Sequence, residues 1–468
     1  MSRSSTESAE LGEAPTVQAG EHTGSSVGML TVLRRRDFRL LFVGEGISLL
    51  GDQFTFIALP WLVLQLTGDP LAMGTVLALA GIPRALFILV GGALTDRLSP
   101  RTVMLVSNLV RMVLVSALAT LVLTSHIQLW MVYLLALGFG AGDAFYYPGQ
   151  TAIIPRLVSR VQLQAANSLV HGVAQLSQVV GPIVAGSIIA VISGPTTSAA
   201  LAAGQAPNLA GVGFAFVVDA LTFVASVVTL YLIQPGCAPG SAACTEPSTE
   251  TASPADLIAA ILQGIRLVWH DTTLRWAFIV IAAVDSLLLG PLLVGVPVLA
   301  DTRLAEGAVA YGIIMSAFGG GALAGIILAG TLPQVAPQYL GTVIMALVSL
   351  FGIVLVVYGV TTSTSLIALA SLVAGAGSGY VNVVFVTWLQ NRVPALLLGR
   401  VMSLVMLASV GLVPVSQALS GALIKVSLVG VFVGAGVLLL AVTLRIMFVP
   451  AVRTMGLPPV AAATSAPD

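Results

Sequence analysis

Twelve times along this 468-residue chain an apolar run reaches the length, about 20 residues, that a helix needs to cross the hydrocarbon of a bilayer. The runs are Arg39–Leu66, Leu71–Leu94, Thr102–Leu123, Leu129–Thr151, Ser168–Ile192, Gly211–Ile233, Leu274–Leu299, Val309–Gly330, Gly341–Val360, Ser365–Leu389, Val401–Ile424 and Val426–Val449. Composition agrees: 57% of the residues are hydrophobic and 8% charged, where soluble domains run at ~45–50% and ~25%. Lipid is the solvent, and the prediction is an all-α membrane protein of twelve transmembrane helices. A net charge of zero gives no field for nucleic acid, so none is expected as a partner.

Basic residues orient the spans. With the N-terminus in the cytoplasm, Arg34, Arg35, Arg36, Arg97, Arg101, Arg156, Arg392, Arg400, Arg445 and Arg453 all fall inside, and only Arg303 and Lys425 fall outside. An odd number of spans destroys this split. The expected location is therefore the cell membrane, multi-pass, with both termini cytoplasmic. Residues 1–36 are polar, lack a signal-peptide core and read as a disordered cytoplasmic tail. Residues 37–233 form a first unit of six spans, and 234–273 a cytoplasmic linker. Residues 274–450 form a second unit of six spans, and 451–468 a cytoplasmic tail. Within the linker, Leu257, Ile261, Ile265 and Val268 recur at helical spacing. They mark an amphipathic helix that lies on the inner membrane surface or covers the bundle ends. Cys237 and Cys244 read as free linker thiols; they are not a disulfide framework, and no metal-ligand cluster accompanies them.

The halves echo each other. Proline-containing stretches near Pro155 and Pro394, and near Pro182 and Pro414, are offset by 239 and 232 residues, close to half of 468. Between the second and third spans the chain reads GGALTDRLSPRTVML. Gly92, Leu94, Asp96, Arg97 and Arg101 fall in register on Gly-x-Leu-Ala-Asp-Arg-x-Gly-Arg-Lys, the pattern of the major facilitator superfamily. Ser99 and Pro100 depart from it. The chain resembles that superfamily, and GDQFTFIALPWLVLQLTGDP, FYYPGQTAIIPRLV and LQAANSL look like its macrolide and multidrug efflux branch, which includes siderophore exporters. The resemblance implies the major facilitator fold of two six-helix bundles. It also implies a gating loop in which Asp96 meets the start of span eleven near Arg400 and Arg97 and Arg101 add ion pairs.

Ionisable groups inside spans cost ~2.5–3.5 kcal/mol each, so they face a cavity or each other. Glu45 and Asp52 share a face of the first span, seven residues apart. Asp52 and Arg84 lie at similar depth, and Arg111 with Asp143 makes a second possible pair; Asp219 and Asp285 have no evident basic partner. Glu45, Asp52, Arg84, Arg111 and Asp143 are the candidates for proton coupling, because burial and a movable Arg contact pull a carboxylate's proton affinity in opposite directions. The competing reading is a structural ion-pair network. His171 reads as a polar contact.

Span five carries Gly172, Gly181, Pro182 and Gly186 and resembles the antiporter motif Gly-Pro-x-x-Gly-Gly, with Ala185 in place of one glycine. Small residues and Pro permit close, rocking helix contact. Gly321 with Gly325, and Gly375 with Gly379, read as packing. A cargo cavity lined from both halves is expected to include Gln53, Gln175, Gln178, Asn382 and Gln417 among apolar walls, which suits bulky amphipathic molecules. The expected function is a secondary active exporter, by proton antiport and alternating access, of macrolide-like drugs or siderophores. The alternative is an uncoupled facilitator or lipid flippase. No nucleotide loop, metal cluster or nucleophile–base pair points to an enzyme. The proton gradient replaces any cofactor, and a monomer in the lipid bilayer is expected.

Overall fold

The computed structural model describes residues 29–194, 207–234, 265–266, 268–393 and 395–457; within these, the side chains of 29, 88–97, 395–396, 399–400 and 403 are not described. Among the described residues twelve helices are long and apolar enough to cross a membrane. They are α1 (Arg36–Thr67), α2 (Pro70–Arg97), α3 (Pro100–Leu123), α4 (Leu129–Leu157), α5 (Leu163–Ser193), α6 (Ala210–Leu232), α7 (Thr272–Arg303), α8 (Ala308–Thr331), α9 (Leu340–Val360), α10 (Thr364–Arg392), α11 (Ala395–Ile424) and α12 (Leu428–Met447). Every expected run became a helix. The helices outlast the apolar runs most at the α4 C-terminus and the α11 N-terminus, because a helix continues wherever its backbone hydrogen bonds do, in or out of oil.

The chain is an all-α membrane protein. The first six helices pack as α2 on α4, α3 on α4 and α6, and α1 on α5 and α6; the last six repeat this as α8 on α10, α9 on α10 and α12, and α11 on α7. The halves meet along two seams, α2 against α11 and α5 against α8. These pairs exchange when six is added to each number, as a parallel repeat requires. The face at which α1 begins and α12 ends is the terminal face, and the opposite one the distal face.

Two parts of the expected tails are ordered. Met29–Leu33 forms a helical turn and Val32 is fully buried, since an apolar side chain beside the bundle gains by leaving water. At the other end Pro450–Arg453 is helical, Val452 and Met455 are buried, and the Trp388 indole donates to the Met455 carbonyl at 2.8 Å. Most of the expected amphipathic linker helix, 256–264, lies outside the described residues.

Small residues bring the seams together near the distal face. A Cβ on Gly74 of α2 meets the Gln417 carbonyl at 2.5 Å, and one on Gly421 of α11 meets the Pro70 carbonyl at 2.6 Å. On the other seam a Cβ on Gly186 meets the Ala308 carbonyl at 2.4 Å, and one on Gly312 meets the Pro182 carbonyl at 2.5 Å. Toward the terminal face α5 and α8 part: Gly172 and Gly330 have nothing within 4 Å. Gly172, expected as a close-approach position, is therefore not one in this conformation. Gly321, Gly325, Gly375 and Gly379 pack α8 backbone to backbone on α10, as expected.

Candidate functional site: a charged cluster inside the first bundle

The α1–α6 contact builds the site. Gly51 carries no side chain, so α6 comes close enough for Thr222 and Asp219 to occupy the space where a Cβ would stand. Asp219 is then fully buried and accepts hydrogen bonds from the Thr55 and Thr222 hydroxyls. One turn toward the terminal face, Asp52 takes the Arg111 guanidinium at 2.6 Å. Arg111 also stands 3.6 Å from Asp143, and Asp143 pairs with Arg84 at 3.1 Å. Further on, Glu45 is 2% exposed and accepts from the Tyr146 hydroxyl and the Gln150 amide.

The expected Arg111–Asp143 pair is present at 3.6 Å, but the expected Asp52–Arg84 pair is replaced. Asp52 faces Arg111, and Arg84 faces Asp143. Depth along a helix follows from residue count, but azimuth between helices does not: α3 presents Arg111 to α1, while α2 presents Arg84 to α4. Arg111 is 2% exposed, and its guanidinium carbon lies 4.5 Å from the Phe223 ring centre, 5.0 Å from Phe139 and 5.2 Å from Tyr146. Three aromatic faces thus replace water around a buried cation. Asn108 sits 3.5 Å from the same guanidinium and donates to Ser226 at 2.8 Å.

Arg84 is the exposed end of the cluster, with 48% of its side chain accessible. It lies one turn from Gly81, which touches Pro414 of α11, so by helical spacing it borders the seam between the halves. The cluster therefore runs from that seam through Asp143 and Asp52 to the buried Arg111, Glu45 and Asp219. Asp52 points into the bundle, not into lipid.

Sequence reasoning missed Tyr146, Gln150, Thr55, Thr222 and the aromatic ring around Arg111. A signal was present: Asp143, Tyr146 and Gln150 are spaced i, i+3, i+7 and form one polar stripe on α4. It lies antiparallel to the Glu45–Asp52 stripe of α1.

Other expected site residues are dispersed. Gln53 packs against Gly181, where a Cβ would come within 2.4 Å of it. Gln175 donates to the Gly319 carbonyl at 3.2 Å, and the Gln178 backbone touches Gly319. Gln417 is buried on the α2–α11 seam. Asn382 borders a cavity of about 200 Å³ within the second bundle. His171 is exposed on α5. The side chains of the gating residues Gly92, Asp96 and Arg97 lie outside those described. Among the described residues Arg101 meets no carboxylate and donates to the Leu230 and Tyr231 carbonyls at 2.8 and 2.6 Å. A cation at the α6 C-terminus satisfies carbonyls the helix leaves open and complements its dipole.

The halves are joined at the distal face by two polar contacts. Gly68 ends α1 with a left-handed turn (φ 63°), and Asp69 accepts from the Leu71 amide. Its other carboxylate oxygen meets Lys425 Nζ at 2.9 Å, from α2's neighbour α11. Beside it Gln65 donates to Asp301 at 2.7 Å. Burial is the largest single influence on the Asp69 carboxyl and pushes it up, but Lys425 and the backbone amides of Leu71 and Ala72 together outweigh it and hold the group below its ordinary 3.8. Among the described residues no group of His, Cys, Asp and Glu is arranged to hold a metal.

Comparison with known proteins follows the same lines. The chain is 30% identical over 238 residues to the multidrug efflux pump Tap of Mycolicibacterium fortuitum, covering 49% of this chain and 51% of that one. This match thus spans about half the length of that relative. An uncharacterized MFS-type transporter, y4rN of Sinorhizobium fredii, is 25% identical over 417 residues, 88% of this chain and 94% of its own. Among solved structures, a bacterial homologue of the iron transporter ferroportin in an inward-facing state superposes with a TM-score of 0.63 at 16% identity, covering 88% of this chain and 99% of that one. A bacterial homologue of the lysosomal transporter Spinster, inward-facing and unoccupied, gives 0.60 at 13%, over 92% and 98%. Such low identities carry the fold alone. The sequence profile described as Major Facilitator Superfamily matches residues 41–415, and with two six-helix units repeating one packing pattern, the chain belongs to the major facilitator superfamily.

Proposed function

We propose that this transporter is a proton-coupled exporter of amphipathic small molecules, macrolide-like drugs or siderophores, working by alternating access. The observation that carries the reading is the charge count of the buried cluster. Among the described residues Glu45, Asp52, Asp143 and Asp219 have Arg84 and Arg111 as near cations. Fully ionised, the cluster holds two more negative charges than it can pair, and unpaired charge in a low-dielectric interior is expensive. Each proton bound removes one unit of that excess. Arg84, exposed beside the seam, is the group whose contact with Asp143 changes when the halves rock, and Arg111 relays the change to Asp52. One inward proton is worth about 2.3 kcal/mol per 100 mV, enough for a roughly fiftyfold gradient of neutral cargo at about 1.4 kcal/mol per tenfold. The relative named a multidrug efflux pump supports export as the direction.

In this reading the terminal face is cytoplasmic, the protein lies in the cell membrane, and the conformation is inward-open, closed by the distal contacts. It acts as a monomer, without a cofactor. The test is drug accumulation in inside-out vesicles under an imposed pH gradient. Wild-type vesicles are expected to accumulate drug until an uncoupler is added, and Asp52→Asn vesicles to fail. Wild-type transport indifferent to the uncoupler overturns proton coupling and favours an uncoupled facilitator or lipid flippase.

A further inference from the structure

The carboxylates of the first-bundle cluster all accept a hydrogen bond or ion pair at a described side chain; the second bundle holds one with a carboxylate oxygen that has none. Asp285 of α7 is 8% exposed. The Ser409 hydroxyl hydrogen-bonds its carboxylate, while Oδ2 is buried with no partner. The helix is irregular there: Asp285–Leu289 and Pro291–Gly295 are π-helical turns. A wide turn of this kind re-aims side chains and recurs at functional sites. Asp285 borders the 200 Å³ cavity, whose described lining contains no other ionisable residue. Ser378 and Asn382 add polar groups to that lining, Trp276 and Phe385 add aromatic faces, and most of the remainder is aliphatic. Trp276 and Asp285 are nine residues apart, or ~13 Å along α7 at 1.5 Å per residue.

A buried carboxylate with no arginine, an apolar wall and aromatic faces to one side are what an organic monocation requires: a counter-ion, a dry surface and π faces. A neutral ligand leaves the carboxylate unsatisfied, and an anion is repelled. We infer that the cavity between α7, α9, α10 and α11 binds the cationic end of an amphipathic amine, with Asp285 as counter-ion and Trp276 and Phe385 against its apolar body. This names a cargo class for the exporter proposed above and rests on that reading for the direction of movement, but binding is measured without transport, so the two fail separately.

The probe is radiolabelled (3-phenylpropyl)trimethylammonium, whose fixed charge neither gains nor loses a proton, on purified protein in nanodiscs. Its carbon isostere, with a quaternary carbon in place of nitrogen, serves as neutral competitor. Wild type is expected to bind the cation saturably and at least tenfold tighter than the isostere. Asp285→Asn should erase that preference while retaining the isostere's affinity, and Asp285→Glu should keep most of it. Ser378→Phe, which fills the cavity, should weaken both ligands. Monodisperse elution of each variant separates these effects from misfolding. Equal affinity of Asp285→Asn and wild type for the cation, or a wild type that does not prefer the cation, overturns the assignment and leaves Asp285 as a proton-carrying or purely structural carboxylate.

Discussion

Removing the Arg111 guanidinium tests whether the buried cluster is one electrostatic unit. Arg111→Met keeps the length and apolar stem of the side chain. It deletes the 2.6 Å contact to Asp52, the 3.6 Å contact to Asp143 and the centre of the aromatic ring set. Breaking a buried pair from one side costs about 3–5 kcal/mol, because the partner charge is left without compensation. At about 2.1 cal/mol/K per residue, a chain of 468 residues unfolds with an entropy of ~1 kcal/mol/K. The expected loss in melting temperature is therefore about 3–5 °C. The assay is thermal unfolding of detergent-purified protein followed by fluorescence-detected gel filtration. Arg111→Met combined with Asp52→Asn should recover at least half of the loss, since the orphaned charge is then gone. If Arg111→Met melts within 1 °C of wild type, or the second change restores nothing, the electrostatic account of the cluster is wrong and the arginine is packing material.

Three further outcomes follow from the contacts between the halves. Gly312→Ala places a methyl 2.5 Å from the Pro182 carbonyl, so α5 and α8 must separate near the distal face. Cysteines placed there should become more reactive to a membrane-impermeant maleimide, and an unchanged labelling rate argues against a sealed distal face. Lys425→Met removes the cation from a pair whose side chains are 49% and 31% exposed, worth under ~1 kcal/mol, and should raise distal-face labelling only a few-fold. Asp69 has a lowered pKa in the closed state. Its contribution to closure is thus fully present above its ordinary 3.8 and lost as pH falls through the lowered value. Wild-type labelling should rise at the acid end of that window and that of Lys425→Met should not; a pH response of the same size in both refutes the pair's role.

The helices were legible because a bilayer leaves the backbone little choice: about 20 consecutive apolar residues announce a span whatever surrounds it. The half-chain repeat was legible for a related reason, since Pro182 and Pro414 stand at equivalent places inside α5 and α11. The small residues that carry the seams were visible too, although which helix each one meets was not. Gly172 has the same chemistry as Gly186, yet only Gly186 touches α8.

The sequence alone therefore determined the number of spans, their pairing into two units and the identity of the buried carboxylates and arginines, because cost of burial in lipid depends on residue type and position along one helix. Apart from the Arg111–Asp143 contact, tertiary structure decided who pairs with whom. Asp52 took Arg111 and left Arg84 to Asp143, Arg101 went to the end of α6, and Asp285 kept an oxygen with no partner. Such choices depend on the rotation of each helix about its axis and on how closely its neighbours approach, and a few glycine contacts set both.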